Sequence, residues 1–190
     1  MFSSTPIRYL SISEEFYAKA ENFIGFTVTL RGQVDAAAMS EAFDTLMRVH
    51  PAHAAHLERG ADGRHQIMVD DYEHPGIWLE KLDDPPTDRL PNQSEALVNL
   101  RLRMGQDTCE LTLFTHHALA DANHQFALLE ELFGWYTDIV TGAGIGQVKP
   151  QPIPESLEMV LSERGIGKLQ RFGLERFLPA MFAYELPPSR

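Results

Sequence analysis

The chain has 190 residues, 44% hydrophobic and 23% charged, with 16 basic against 27 acidic side chains and a formal charge of −11. That length supports a core without staples, and a lone cysteine, Cys109, excludes an internal disulfide or a thiolate zinc cluster and suits a cytoplasmic home. Residues 1–149 carry 11 basic and 22 acidic groups and residues 150–190 five of each; with no basic stripe, nucleic acid and anionic membrane surfaces are disfavoured as partners.

No apolar run approaches the roughly 18 residues of a membrane span. The opening MFSSTPIRYL lacks the charged-then-apolar pattern of a signal peptide. Ser13, ahead of Glu14, Glu15, Phe16 and Tyr17, predicts an N-capped short helix. Phe26, Val28 and Leu30 alternate with Thr27, Thr29 and Arg31, which predicts a half-buried strand closed by Gly32. Asp35 caps a helix whose apolar face is Met39, Phe43, Leu46 and Met47, and Pro51 ends it near His50. Two weaker strands follow, Ala54–Glu58 and Arg64–Val69, around the turn Gly60–Gly63, with another at Ile77–Leu82. The segment Asp83–Ser94, holding Pro85, Pro86 and Pro91, is a loop.

The clearest pattern is a hairpin. Ala96 to Met104 alternates apolar and polar, Gly105–Thr108 turns, and Cys109 to His117 forms the second strand. By parity His117 shares a face with Leu111, Leu113 and Thr115, and His116 with Thr112 and Phe114. A helix follows Asp121, its face predicted as Phe126, Leu129, Leu132, Phe133, Tyr136 and Val140, ending at Gly142. After the loop Gly142–Pro154, helices are predicted near Glu155–Arg164 and Leu174–Tyr184. Mixed helices and antiparallel strands indicate an α+β fold, a two-layer α/β sandwich.

Chemistry concentrates in the segment from His116 to His124, where a strand hands over to a helix. A neutral histidine there can take a proton from a hydroxyl and return it to a leaving group. Asp121 could orient an imidazole or hold the loop. Two plainer possibilities stand beside this: histidines satisfied at a helix N-terminus, and a metal-dependent hydrolase using His116, His117, Asp121 and His124. No HExxH, GxSxG or phosphate loop is present. His50, His53 and His56 have ligand chemistry, but Pro51 interrupts their helix, so a polar helix end is the simpler account. Cys109 reads as a small core residue.

The segment HHALADA resembles the HHxxxDG signature of the CoA- and carrier-dependent acyltransferases, which include chloramphenicol acetyltransferase and condensation domains. The segments LRGQVDAAAMSEAFDTLMRVHPAHAAHLE, ELTLFTHHALADANHQFALLEELFGWYTDIVT, PQPIPESLEMVLSERGIGK and ERFLPAMFAYELP are similar to polyketide-associated acyltransferases of the mycobacterial phthiocerol dimycocerosyl transferase type. The resemblance implies that 1–190 is an N-terminal, chloramphenicol-acetyltransferase-like half. It implies O-acyl transfer from a carrier-protein, polyketide synthase or CoA thioester to a lipid alcohol or diol. His117 would be the general base, attack would be direct without an acyl-enzyme, and no metal or cofactor would be needed. Asp121 and His116 would be structural, with an arginine partner for Asp121. Ala122 stands where the signature has glycine; its backbone would approach the thioester, and a glycine-like positive φ would be disfavoured there. Members of the family are about twice this length, built as two similar domains. The half alone would then be inactive, and would self-associate or keep a second chain. A non-catalytic binding module retaining the fold is the rival from another class.

Overall fold

The computed structural model describes residues 4–70, 74 and 76–165. The chain divides into two bodies, 1–154 and 155–190. In the first, strand β1 (Ser4–Tyr9) leads to helix α1 (Ile12–Lys19), β2 (Phe23–Arg31) and α2 (Ala36–Val49). Then come β3 (His56–Arg59), β4 (His65–Asp70), β5 (Trp78–Lys81), β6 (Val98–Met104), β7 (Thr108–His116) and α3 (Ala122–Val140). In the second body, α4 (Leu157–Glu163) falls within the expected Glu155–Arg164 span. The helix expected at Leu174–Tyr184 lies outside the described residues.

Four strands form one sheet in the order β2-β7-β6-β5, and β1-β4-β3 form a second. The predicted hairpin is the centre of the larger sheet, with Leu100 opposite Leu113 and Leu102 opposite Leu111. Strand β2 pairs with β7 over nine residues, from Phe23 opposite His116 to Arg31 opposite Thr108. Leu100, Leu102, Leu111, Leu113 and Cys109 share a buried core with Phe43 and Leu46 of α2 and Leu128 and Leu132 of α3. Two helices thus cover one face of the sheet, which is the expected α+β layering. Cys109 is buried there, and burial raises its thiol pKa.

Several boundaries differ from expectation. Ser11, not Ser13, caps α1, in a capping box with Glu14. Strand β2 begins three residues before Phe26, because β7 offers partners as far as His116. Strand β1 was not expected; it completes the small sheet against β4. On α3 the buried stripe is Gln125, Leu128, Leu129 and Leu132, while Phe126 is 51% and Val140 49% exposed. The inward stripe follows the i, i+3, i+4, i+7 spacing, and Phe126 and Val140 fall beside it. Asp35 caps α2 through bonds from the Ala37 and Ala38 N–H groups, as expected.

Candidate active site

Strand β7 ends at His116, one residue earlier than expected, and this separates the two histidines. His116 keeps the strand's alternation on the face of Thr112 and Phe114, packing edge-on against Phe23 at 4.9 Å between ring centroids. It is fully buried, and both ring nitrogens are used. The Ala118 N–H donates to Nδ1 (3.2 Å), so the proton sits on Nε2, which donates to Gln93 Oε1 (2.9 Å). Gln93 Nε2 in turn donates to the Ala18 carbonyl at 3.0 Å, tying His116 to the end of α1. Burial pushes the His116 pKa down to about 4, helped by His117 and His65. His116 is therefore a neutral structural member near pH 7.

His117 lies past the last ladder residue, so the parity expected with Leu111, Leu113 and Thr115 does not reach it. Its N–H donates to the Asn22 carbonyl at 2.8 Å, and its ring turns toward the loop. Nδ1 lies 3.1 Å from the Ala120 carbonyl. A carbonyl only accepts, so Nδ1 carries the proton and Nε2 keeps its lone pair. The ring stacks on Tyr17 of α1, with centroids 4.1 Å apart and planes 24° apart. His117 is half-buried. Among the described residues nothing bonds its Nε2, so of the two histidines it is the one with a ring nitrogen left for proton transfer.

Asp121 is exposed and caps α3, its Oδ1 accepting from the His124 N–H at 2.9 Å. The expected arginine partner is not found among the described residues; the helix N-terminus takes its place. Ala122 is the first residue of α3. Among the described non-glycine residues only Glu21 has a positive φ, so Ala122 has no conformation that requires glycine.

The fourth residue of the hydrolase alternative points elsewhere. His124 Nε2 lies 3.0 Å from His53 Nε2, and the rings stack at 5.1 Å. His50 lies beside them, its Nε2 bonded to Glu131 Oε2 at 2.7 Å. Burial, then His124 and His50, pushes His53 down to about 3. Burial and His50 also lower His124. His56 turns away to Glu58. Neither the set His116, His117, Asp121 and His124 nor the set His50, His53 and His56 converges. Among the described residues no group of three or more such side chains is arranged to hold a metal ion. Tyr17, Gln93 and the Ala120 carbonyl carried no signal of their own in the sequence; each reaches the histidines only through the fold.

No protein-family model matches the chain. It is 49% identical over 190 residues to a phthiocerol/phthiodiolone dimycocerosyl transferase of Mycobacterium sp. (strain JLS). It is 42% identical over 197 residues to that of Mycobacterium leprae (strain TN). In both comparisons all of this chain is covered, but it spans only 46% and 47% of the relatives, about half their length. Among solved structures, polyketide synthase associated protein 5 from Mycobacterium tuberculosis matches with a TM-score of 0.79 and 43% identity, over 97% of this chain and 45% of that one. The first condensation domain of the CDA synthetase matches 95% of this chain and 51% of that one, with a TM-score of 0.63; at 15% identity the likeness is one of fold. The chain is thus similar along its whole length to phthiocerol/phthiodiolone dimycocerosyl transferases, over about half of their own length, and it has the condensation-domain fold.

Proposed function

We propose that this chain supplies the general base of an O-acyltransferase. The reaction would move a long-chain acyl group from a carrier-protein or CoA thioester to a lipid alcohol or diol. The observation that carries this is the fixed tautomer of His117: Nδ1–H is engaged by the Ala120 carbonyl, and Nε2 is left with its lone pair. Nε2 takes the hydroxyl proton as the alcohol oxygen attacks the thioester carbonyl. The C–O bond forms, the tetrahedral intermediate collapses with loss of the C–S bond, and the imidazolium returns the proton to the thiolate. No acyl-enzyme or bound cofactor enters this sequence. His116 and Asp121 hold the loop that carries the base, and the Ala122 backbone faces the thioester.

The names of the relatives support transfer onto a phthiocerol or phthiodiolone acceptor. The donor would be a carrier protein or polyketide synthase, in keeping with the polyketide-associated structural relative. The chain spans about half of those proteins, so the reacting groups need a second wall, from a C-terminal half or another chain. General-base catalysis requires both substrates held at attack distance. The test is ester formation by residues 1–190 alone and then with a separately expressed C-terminal half of a relative. We expect no turnover alone and turnover on complementation. Turnover by the chain alone would refute the two-wall site. Binding of the two halves without turnover, with acyl thioester and diol supplied, would favour a non-catalytic module.

A further inference from the structure

We infer that Tyr17 is a positioning residue for His117, an aromatic platform that sets the plane of the imidazole and so the direction of Nε2. The inference rests on His117 being the base proposed above. One hydrogen bond, Nδ1–H to the Ala120 carbonyl, fixes one atom of the ring and leaves it free to swing about that contact. The stack on Tyr17, 4.1 Å between centroids and 24° between planes, removes that freedom. An aromatic face also attracts the imidazolium that forms when Nε2 takes a proton, which an aliphatic side chain of similar bulk does not.

The platform is itself held. At the start of α1, Ser11 and Glu14 close a capping box, and Arg8 makes a two-pronged ion pair with Glu14 at 2.7 and 2.8 Å. On the next residue, the Glu15 carboxylate accepts from the His65 backbone and from His65 Nδ1 at 3.1 Å. Burial would raise that carboxyl, but the bonds from His65 hold it below its ordinary value. At the far end, the Asn22 N–H donates to the Tyr17 carbonyl (3.0 Å), and the Asn22 carbonyl accepts from the His117 N–H (2.8 Å). The turn between them contains Glu21 at φ 47°, the left-handed region that non-glycine residues seldom occupy. A backbone relay thus joins Tyr17 to His117 in parallel with the ring stack. The adjacent Ala18 carbonyl holds Gln93, and through it His116. Helix α1 therefore fixes both histidines from one side.

The test is nuclear magnetic resonance of residues 1–190 with isotope-labelled histidine, in the wild type, Tyr17→Phe and Tyr17→Leu, with His117→Gln to assign the signals. In the wild type we expect His117 in the Nδ1–H tautomer with its ring-carbon protons shifted upfield by the Tyr17 ring. Tyr17→Phe should keep both features. Tyr17→Leu should lose the upfield shift and free the ring to reorient about the Ala120 contact, seen as faster relaxation of its ring carbons, while His117 keeps the Nδ1–H tautomer and His116 its Nε2–H form as internal controls of folding. An unshifted His117 ring in the wild type would overturn the inference, and that measurement needs no variant to fold. A Tyr17→Leu ring that relaxes as slowly as the wild type, or a Tyr17→Phe spectrum that loses the stack, would overturn it too. None of these signals depends on turnover, so a failed transfer assay and a failed platform are separate results.

Discussion

Two groups of histidines in this molecule use the same side chain for opposite ends. His50, the cap of α2, His53, in the turn after it, and His124 on α3 pack ring to ring: His53 Nε2 faces His124 at 3.0 Å, His50 faces Glu131 at 2.7 Å, and the buried His53 Nδ1 has no partner among the described residues. His116 and His117 are sequence neighbours, yet one is locked at both nitrogens and the other keeps Nε2 available. Partner accounting tells His116 from His117, whereas the cluster at the end of α2 is set apart by burial, which closes the unpartnered His53 Nδ1 off from solvent. Burial reinforces the division, because His53 and His116 are held neutral well below pH 7.

The strongest way to break this comparison is His117→Ala in a complete two-half enzyme. Turnover should fall about 10²–10⁴-fold, with cooperative melting retained. An equal loss from His53→Leu, in a protein that melts normally, would show that the helix cluster takes part in the chemistry. The next largest effect is on acid stability. His53 and His116 titrate near 3 and 4 when folded, against 6.5 as the ordinary value. As pH falls below 6.5 the unfolded chain takes up protons that the folded chain refuses. Their contribution is therefore complete above about pH 6.5 and declines as pH drops toward 4 and then 3. Each pK unit corresponds to about 1.4 kcal/mol. Melting temperatures at pH 7.5 and 5 should diverge in the wild type and diverge less in His53→Leu, where the share of His116 remains.

Gln93→Leu should cost about 1–3 kcal/mol by urea unfolding, since it strands the buried Nε2–H of His116. A smaller cost would mean that His116 finds another acceptor. Asp121→Ala should cost about 0.5–2 kcal/mol through loss of the α3 cap, and Asp121→Asn should restore most of it. Unchanged melting with lost turnover would move Asp121 into the chemistry. Least of all, Ala122→Gly should change stability by no more than about 0.5 kcal/mol, because the residue is exposed on the first turn of α3 and needs no special φ.

Much of the fold could be read locally. The hairpin β6–β7 announced itself by alternation on each side of Gly105–Thr108, and α2 by its cap Asp35 and its stop at Pro51. The face of α3 was misread because Phe126 and Val140 are more hydrophobic than Gln125, yet Gln125 is the one buried. Its Nε2 donates to the Leu113 carbonyl at 2.7 Å and the Ile24 carbonyl at 3.1 Å, a role no hydropathy pattern encodes. The site was half legible: His116, His117 and Asp121 stand together in the chain, but the parity assigned to His117 failed where the ladder stopped.

The sequence by itself determined most of the segments that become strands and helices, β1 excepted, and where a base could sit, because periodicity, capping and turn chemistry act over a few neighbouring residues. It also carries the similarity to known transferases, over about half of their length. Only the tertiary structure decided which histidine keeps a free nitrogen. Gln93 reaches the His116 ring and His53 the His124 ring from distant parts of the chain, Tyr17 supplies the ring under His117 and Asn22 accepts from its backbone N–H, while the nearby Ala118 and Ala120 meet the ring nitrogens only because the chain turns after β7. Hydrogen bonds and ring contacts act over a few ångströms in space, and no local pattern of residues records which distant groups the fold will bring within that range.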